Sequence, residues 1–457
     1  MNKRLKIFIS AYACEPGLGS EIGVGWHWVL EMSKYFELWV LTRQINQHTI
    51  EPWIAEHPEY SDIHFLYYDW PKWARFWKKG MRGVRTYYNI WQACTNGIVK
   101  RTMQKNDIRI FHHLTYGNVM WKVSSYGQRQ LFVWGPVGGM ETIPMEYADR
   151  KSKMIEQMRH MAVSLMKRNA GFKRRCRNAD LILCKTDITR MQIPKAHREK
   201  AILFTDVAVD EKQPATLKES ANSSEITEFV TVGRLDAWRG FDLVIEAMAL
   251  SVKENQRIHL TIIGKGTDEQ RLKALIARYG LEPYVTMAGK VDMDTYFEYM
   301  KKCDAVINAS LKEGAVTVSF DSMALGKPLL CIDTTGYTRY FSEEYAIIVQ
   351  RGERKITIQE LGKGILTLTD KEKRADMGER ARLAGKQFTW QSRGEEIRDA
   401  VMKAWNNPFP FTLLRFRRPG RLFLFSALCG TGNHNDRNKR KRDEGLIPLS
   451  LQAGCCQ

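Results

Sequence analysis

Glu313 and Asp321 stand eight positions apart, and the pattern around them puts the first in a loop and the second about two turns into a helix. A helix start exposed in this way attracts anions, because its first N–H groups lack partners and its aligned peptide dipoles present positive charge. The chemistry implied is recognition of a phosphate. Two other places suit the same ligand, and a third is a strand end of the kind that lines a ligand site. Gly17 and Gly19 follow an apolar run at 5–10, where a glycine loop lets backbone N–H groups approach a phosphate closely, although a plain structural turn has the same spacing. Arg234 and Arg239 follow the run 229–232; a guanidinium chelates phosphate oxygens as a two-pronged fork, and taken singly each arginine is also an ordinary solvated charge. His112 and His113 close the run 108–111, at a strand end where ligand groups collect, and a pair of satisfied loop histidines would look alike.

The elements that position these residues read as alternating strands and helices. Residues 305–307 form a buried strand, 310–314 a polar turn, and Val318, Phe320 and Met323 have helical spacing. That helix should stop near Gly326, which suits a left-handed terminal residue, and Pro328 cannot continue it; 329–332 is the next strand. Further strands are expected at 5–10, 38–41, 108–111, 131–134, 179–184, 201–204, 229–232, 259–263 and 285–288, with a flexible loop at 135–141. The polar tract 206–228 carries Pro214 and reads as a connection between two such series.

The block from Glu313 to Pro328 resembles the signature of retaining glycosyltransferases of family 4: a Glu-Gly pair, a second acid further on, and an Ala-x-Gly-x-Pro ending. In that family both acids are usually Glu, and an aromatic residue and Gly commonly follow the pair; here Asp321, Ala315 and Val316 depart from the pattern. The resemblance extends over 228–405 and more loosely over the first half. It implies two Rossmann-like α/β domains facing across a cleft, the GT-B architecture, with a nucleotide-sugar as donor substrate. It further implies that Arg234 and Arg239 bind the donor diphosphate, the latter in place of the usual Lys. Glu313 would hold sugar hydroxyls and Asp321 the ribose. Gly314, Ala315, Val316 and Thr317 would line the donor turn, and Gly17 and Gly19 would lie over the cleft. His113, or else His112, would stand near the anomeric carbon, so the expected catalytic set is His113, His112 and Glu313. The expected domains are 1–205, a linker at 206–227, 228–387, a returning helix at 388–406 and a disordered basic tail at 407–457. No cofactor or metal is required by this reading, and the acceptor is a glycan or lipid-linked molecule used in cell-surface polysaccharide synthesis.

Composition sets the rival reading. The 457 residues carry a net charge of +19, concentrated in 69–105, 151–177 and 407–457 at +8, +8 and +6, which leaves the remainder slightly acidic. Local basic surface implies an anionic partner. In 69–105 the cations interleave with Trp70, Trp73, Trp77, Tyr87, Tyr88 and Trp91. Basic segments with Trp suit an anionic bilayer surface, and equally describe helices with Trp inside and Lys outside. A catalytically inactive chain of the same fold that binds membrane or polyanion, without specific nucleic-acid recognition, is the alternative. No apolar run reaches the ~18 residues of a membrane span and the start of the chain does not read as a signal peptide, so the expected location is cytoplasmic, peripheral on the inner membrane face. The nine cysteines have no metal-ligand spacing.

Overall fold

The computed structural model describes residues 4–17, 20–78, 82–124, 130–148, 153–209, 225–312 and 317–407. Gly19, Glu313, Gly314, Ala315, Val316 and the tail from 408 onward lie outside the described residues.

Short apolar runs that are buried from end to end, such as Ile7-Phe8-Ile9, form strands with helices over both faces, as parallel sheets require. The first sheet contains β1 (Lys6–Ser10), β2 (Glu37–Arg43), β3 (His64–Tyr68), β4 (Ile110–His113), β5 (Leu131–Val137), β6 (Leu181–Cys184) and β7 (Ala201–Leu203). They lie in the order β3-β2-β1-β4-β5-β6-β7, all parallel. The second contains β8 (Thr227–Val232), β9 (Ile258–Ile263), β10 (Val285–Gly289), β11 (Ala305–Asn308), β12 (Leu329–Asp333) and β13 (Ala346–Gln350). Their order is β10-β9-β8-β11-β12-β13, again parallel. Strand order therefore reverses between β1 and β4 and between β8 and β11, and a crevice opens at each such point beyond the carboxyl ends of the strands.

One expectation fails here. Gly135-Pro136-Val137 does not open a flexible loop; it completes β5, with Val137 fully buried, and Glu141 beyond it is tied down by Thr186, Thr189 and the Gly139 N–H. The expected stop of the helix Thr317–Ala324 is present in full: Gly326 is left-handed at φ 63°, the Gly326 N–H reaches the Met323 carbonyl at 3.0 Å and the Lys327 N–H reaches that of Ser322 at 2.7 Å, a Schellman ending.

The helix Trp390–Asn406 lies against the helix Ser20–Ser33 of the first half, and Ile397 and Val401 join the core beneath β1, β2 and β4. Gly394 permits the approach, since a Cβ there would come within 2.3 Å of Glu31 Cγ. Elsewhere the Tyr147 hydroxyl meets Thr357 Oγ1 at 2.8 Å and accepts from the Gly352 N–H at 3.1 Å, and Tyr340 donates to the Lys185 carbonyl at 3.1 Å.

Candidate active site

Arg234 and Arg239 leave the end of β8, and Ser310 and Lys312 leave the end of β11, so the second sheet's switch point collects three cations and a hydroxyl. Glycines make this possible. A Cβ on Gly264 would stand 1.8 Å from the Gly233 carbonyl oxygen and one on Gly240 would stand 2.1 Å from that of Ala309, so the three loops nest backbone against backbone. Arg239 lies over the Trp238 ring at 4.4 Å and donates to Ser310 Oγ at 3.5 Å. Arg234 is more exposed and is held by Asp236 at 2.6 Å. Asn308 donates to Ser319 Oγ and Tyr337 Oη and accepts from the Ser310 N–H, which fixes the start of the turn that leads to Glu313. Thr317 is exposed at the start of the next helix.

Lys312 shows what lies opposite. Burial lowers its pKa, and its charged neighbours are Arg159, Glu156, Glu141 and Arg85, all in the first half of the chain. The carboxyl end of β11 thus faces first-half residues.

Asp321 is engaged by a residue that sequence reasoning missed. The Tyr296 hydroxyl, from the helix Met293–Lys302, donates to its carboxylate at 2.6 Å. Burial pushes the Asp321 carboxyl up to about 6 even though that hydrogen bond pulls it down. No local spacing signals the pair, which lies 25 positions apart. Ser310 and Lys312 were legible only as neighbours of Glu313.

In the first half, His112 and His113 end β4 and both are buried at 1% exposure. His112 Nε2 donates to the Gly135 carbonyl at 2.8 Å, and His113 Nε2 is hydrogen-bonded to the Tyr88 hydroxyl at 3.0 Å. Burial depresses both, to about 4 and about 3, the second also through its neighbours His112 and Arg175, so both rings are neutral at physiological pH. Gly17 is a left-handed turn residue with open space where a side chain would be. Its loop is anchored by Ala13 N–H to Thr115 Oγ1 at 3.0 Å, and Glu21 accepts from the Tyr116 N–H at 2.7 Å at the start of the following helix. Lys185 forms a buried ion pair with Asp206; burial alone would lower its pKa, and Asp206 with Glu21 outweighs it and raises it. Among the described residues no cluster of His, Cys, Asp and Glu could hold a metal ion. No helix among them is long and apolar enough to cross a membrane.

Residues 190–384 match the family model of glycosyl transferases group 1. An uncharacterized glycosyltransferase of Methanocaldococcus jannaschii is 29% identical over 171 residues, which is 36% of this chain and 43% of that one. The N-acetylgalactosamine-N,N'-diacetylbacillosaminyl-diphospho-undecaprenol 4-alpha-N-acetylgalactosaminyltransferase of Campylobacter jejuni is 30% identical over 146 residues, 32% of this chain and 38% of that one. This chain therefore spans less than half the length of either relative. Among solved structures, Anabaena Alr3699/HepE in complex with UDP superposes with a TM-score of 0.55 at 15% identity, over 87% of this chain and 100% of that one. The fold is that of the GT-B glycosyltransferases.

Proposed function

We propose that this chain is a glycosyltransferase that moves a sugar from a nucleoside-diphosphate sugar to a glycan or lipid-linked acceptor in cell-surface polysaccharide synthesis, with retention at the anomeric carbon. The observation that carries the proposal is the switch point of the second sheet, where Arg234, Arg239, Lys312 and the start of the helix Thr317–Ala324 gather positive potential at one crevice. A departing nucleoside diphosphate develops negative charge there, and fixed donors facing developing charge lower the barrier without reorganising. These groups supply that potential without a divalent cation. The UDP complex of the Anabaena neighbour and the lipid-diphosphate acceptor named for the Campylobacter relative support the two substrate classes. Isothermal calorimetry with UDP and GDP, followed by hydrolysis of a panel of UDP- and GDP-sugars, tests the reading. Binding of neither nucleotide, together with salt-sensitive binding to any polyanion, would leave the inactive alternative in its place.

Membrane contact belongs to the same reading, through a surface other than most of 69–105. Trp91, Tyr87 and Tyr88 are core residues, whereas Trp73 and Phe76 are 79% and 75% exposed. The helix Lys153–Met166 buries Glu156 and Val163 on one face and exposes Met154, Ile155, Met158, Met161 and Leu165 on the other. The spacing of four, three and four from Met154 to Leu165 makes this a second apolar stripe. The segment 151–177 carries +8, so a second copy of this face would be repelled, whereas an anionic bilayer complements it. Met158→Gln, Met161→Gln and Leu165→Gln together should release the protein from phosphatidylglycerol vesicles in a flotation assay while UDP binding stays intact. Undiminished flotation would remove this helix from the contact.

A further inference from the structure

A second cationic site stands at the carboxyl edge of the first sheet, apart from the donor-side arginines. Tyr12 follows β1, Arg43 ends β2 and Asp69 follows β3, so three neighbouring strands deliver these side chains to one place. Asp69 is buried and fully engaged: it accepts from Arg43 Nε at 3.2 Å, from the Tyr87 hydroxyl at 2.7 Å and from the Ile45 N–H at 3.4 Å, and it pairs with Arg75 at 3.2 Å. Arg43 also lies 5.3 Å from the Tyr12 ring, and the Lys78 ammonium lies 5.9 Å from the Tyr87 ring. Two cations therefore share one carboxylate, and Lys78 stands within electrostatic reach of Asp69, Arg43 and Arg75 and makes no ion pair among the described residues. Burial, with Arg43 and Arg75, lowers the Lys78 pKa.

The other observation is the Tyr12 hydroxyl, which is buried without a hydrogen-bond partner in a residue only 3% exposed. A buried donor left unmet costs free energy, which a ligand oxygen would restore. Trp73 and Phe76, exposed on the same short segment as Arg75 and Lys78, add an apolar rim.

We propose that Tyr12, Arg43, Arg75 and Lys78 bind a phosphate or diphosphate group of the acceptor, with Trp73 and Phe76 against an apolar chain attached to it. The assignment to an acceptor rests on the glycosyltransferase reading; the anion site does not. Nothing in the donor chemistry uses these residues, and a surplus of cations beside an unmet hydroxyl at the ends of parallel strands fits an oxyanion that brings charge and acceptors together.

The experiment titrates the full chain with inorganic pyrophosphate and with farnesyl diphosphate, both in saturating UDP so that the donor-side cations are occupied. Lys78→Glu should raise the Kd of both probes by about tenfold or more, the loss expected for a charge-assisted contact. Tyr12→Phe should weaken both several-fold without lowering the melting temperature, because it removes an unmet hydroxyl rather than a contact. Trp73→Ser with Phe76→Ser should weaken farnesyl diphosphate alone; an equal effect on both probes would overturn the apolar part and identify a free-phosphate site. Wild-type affinity in both Lys78→Glu and Tyr12→Phe would overturn the site itself. A wild type that binds no UDP would sink the donor reading, and the Lys78→Glu effect on pyrophosphate would still decide this one.

Discussion

Arg234→Ala combined with Arg239→Ala should raise the Kd for UDP by roughly 10²- to 10⁴-fold, since each charge-assisted contact to a phosphate contributes about 1.5–3 kcal/mol. The two residues should not contribute equally. Arg234 is two-thirds exposed and already neutralised by Asp236 at 2.6 Å, so solvent and its own carboxylate discount it. Arg239 is stacked on Trp238 and directed at Ser310, so less ordering entropy is lost when it grips an oxyanion. The single Arg239→Ala should therefore cost more than Arg234→Ala. Arg239→Lys should recover only part of the loss, because an ammonium keeps the charge and loses the fork. Calorimetry with UDP on the four proteins checks all three statements. Binding unchanged in the double variant would end the assignment of the switch point as a diphosphate site.

The fold was legible where burial imposes a simple pattern. Runs such as Ile7-Phe8-Ile9 and Ala305-Val306-Ile307 are apolar at every position because helices cover both faces, and Gly326 with Pro328 marks a helix end through backbone geometry alone. The residues that broke the reading did so for physical reasons. β3, His-Phe-Leu-Tyr-Tyr, is an edge strand whose side chains are mostly half-buried, so it lacks the uniform apolar run of its neighbours. Gly135 and Pro136 look like a loop, yet β5 carries them through a register shift against β6, where the missing N–H of proline is tolerated. Trp73 and Trp91 are the same residue type in one basic stretch, and only tertiary packing tells that the first is exposed and the second fully buried. Of the candidate site, Arg234, Arg239 and Asp321 could be named from spacing and resemblance. Tyr296 could not, nor could the Tyr12, Arg43 and Lys78 group, because these side chains meet only when separate strands and helices are brought together.

Glu313→Gln should depress kcat by roughly 10²-fold or more while leaving the shape of the side chain unchanged, if the carboxylate orients the donor sugar in the transition state as the resemblance implies. Asp321 should behave differently. Its carboxylate already accepts from Tyr296 and is a methylene shorter than the family's usual acid, so a ribose contact reaching it through water loses less on truncation than a direct one. Asp321→Ala should act mainly on donor KM, and Asp321→Glu should tighten donor binding. The pH dependence follows from burial. With its folded pKa near 6, above the usual carboxylate value, Asp321 binds a proton more readily in the folded state. Donor KM should accordingly rise as pH falls through about 6, where the carboxylate loses its charge, and Asp321→Asn should flatten that rise. The same sign makes the ionised acid a cost to the fold: the stability associated with its raised pKa is complete below the unfolded value and lost as pH climbs through 6. Asp321→Asn, which keeps an acceptor for Tyr296, should therefore melt higher than wild type at pH 8 and lower or equal at pH 4. Kinetics over pH 5–8 with the two acid variants decide the matter. A dispensable Glu313 beside an Asp321 whose loss abolishes kcat would mean that the two acids have exchanged roles.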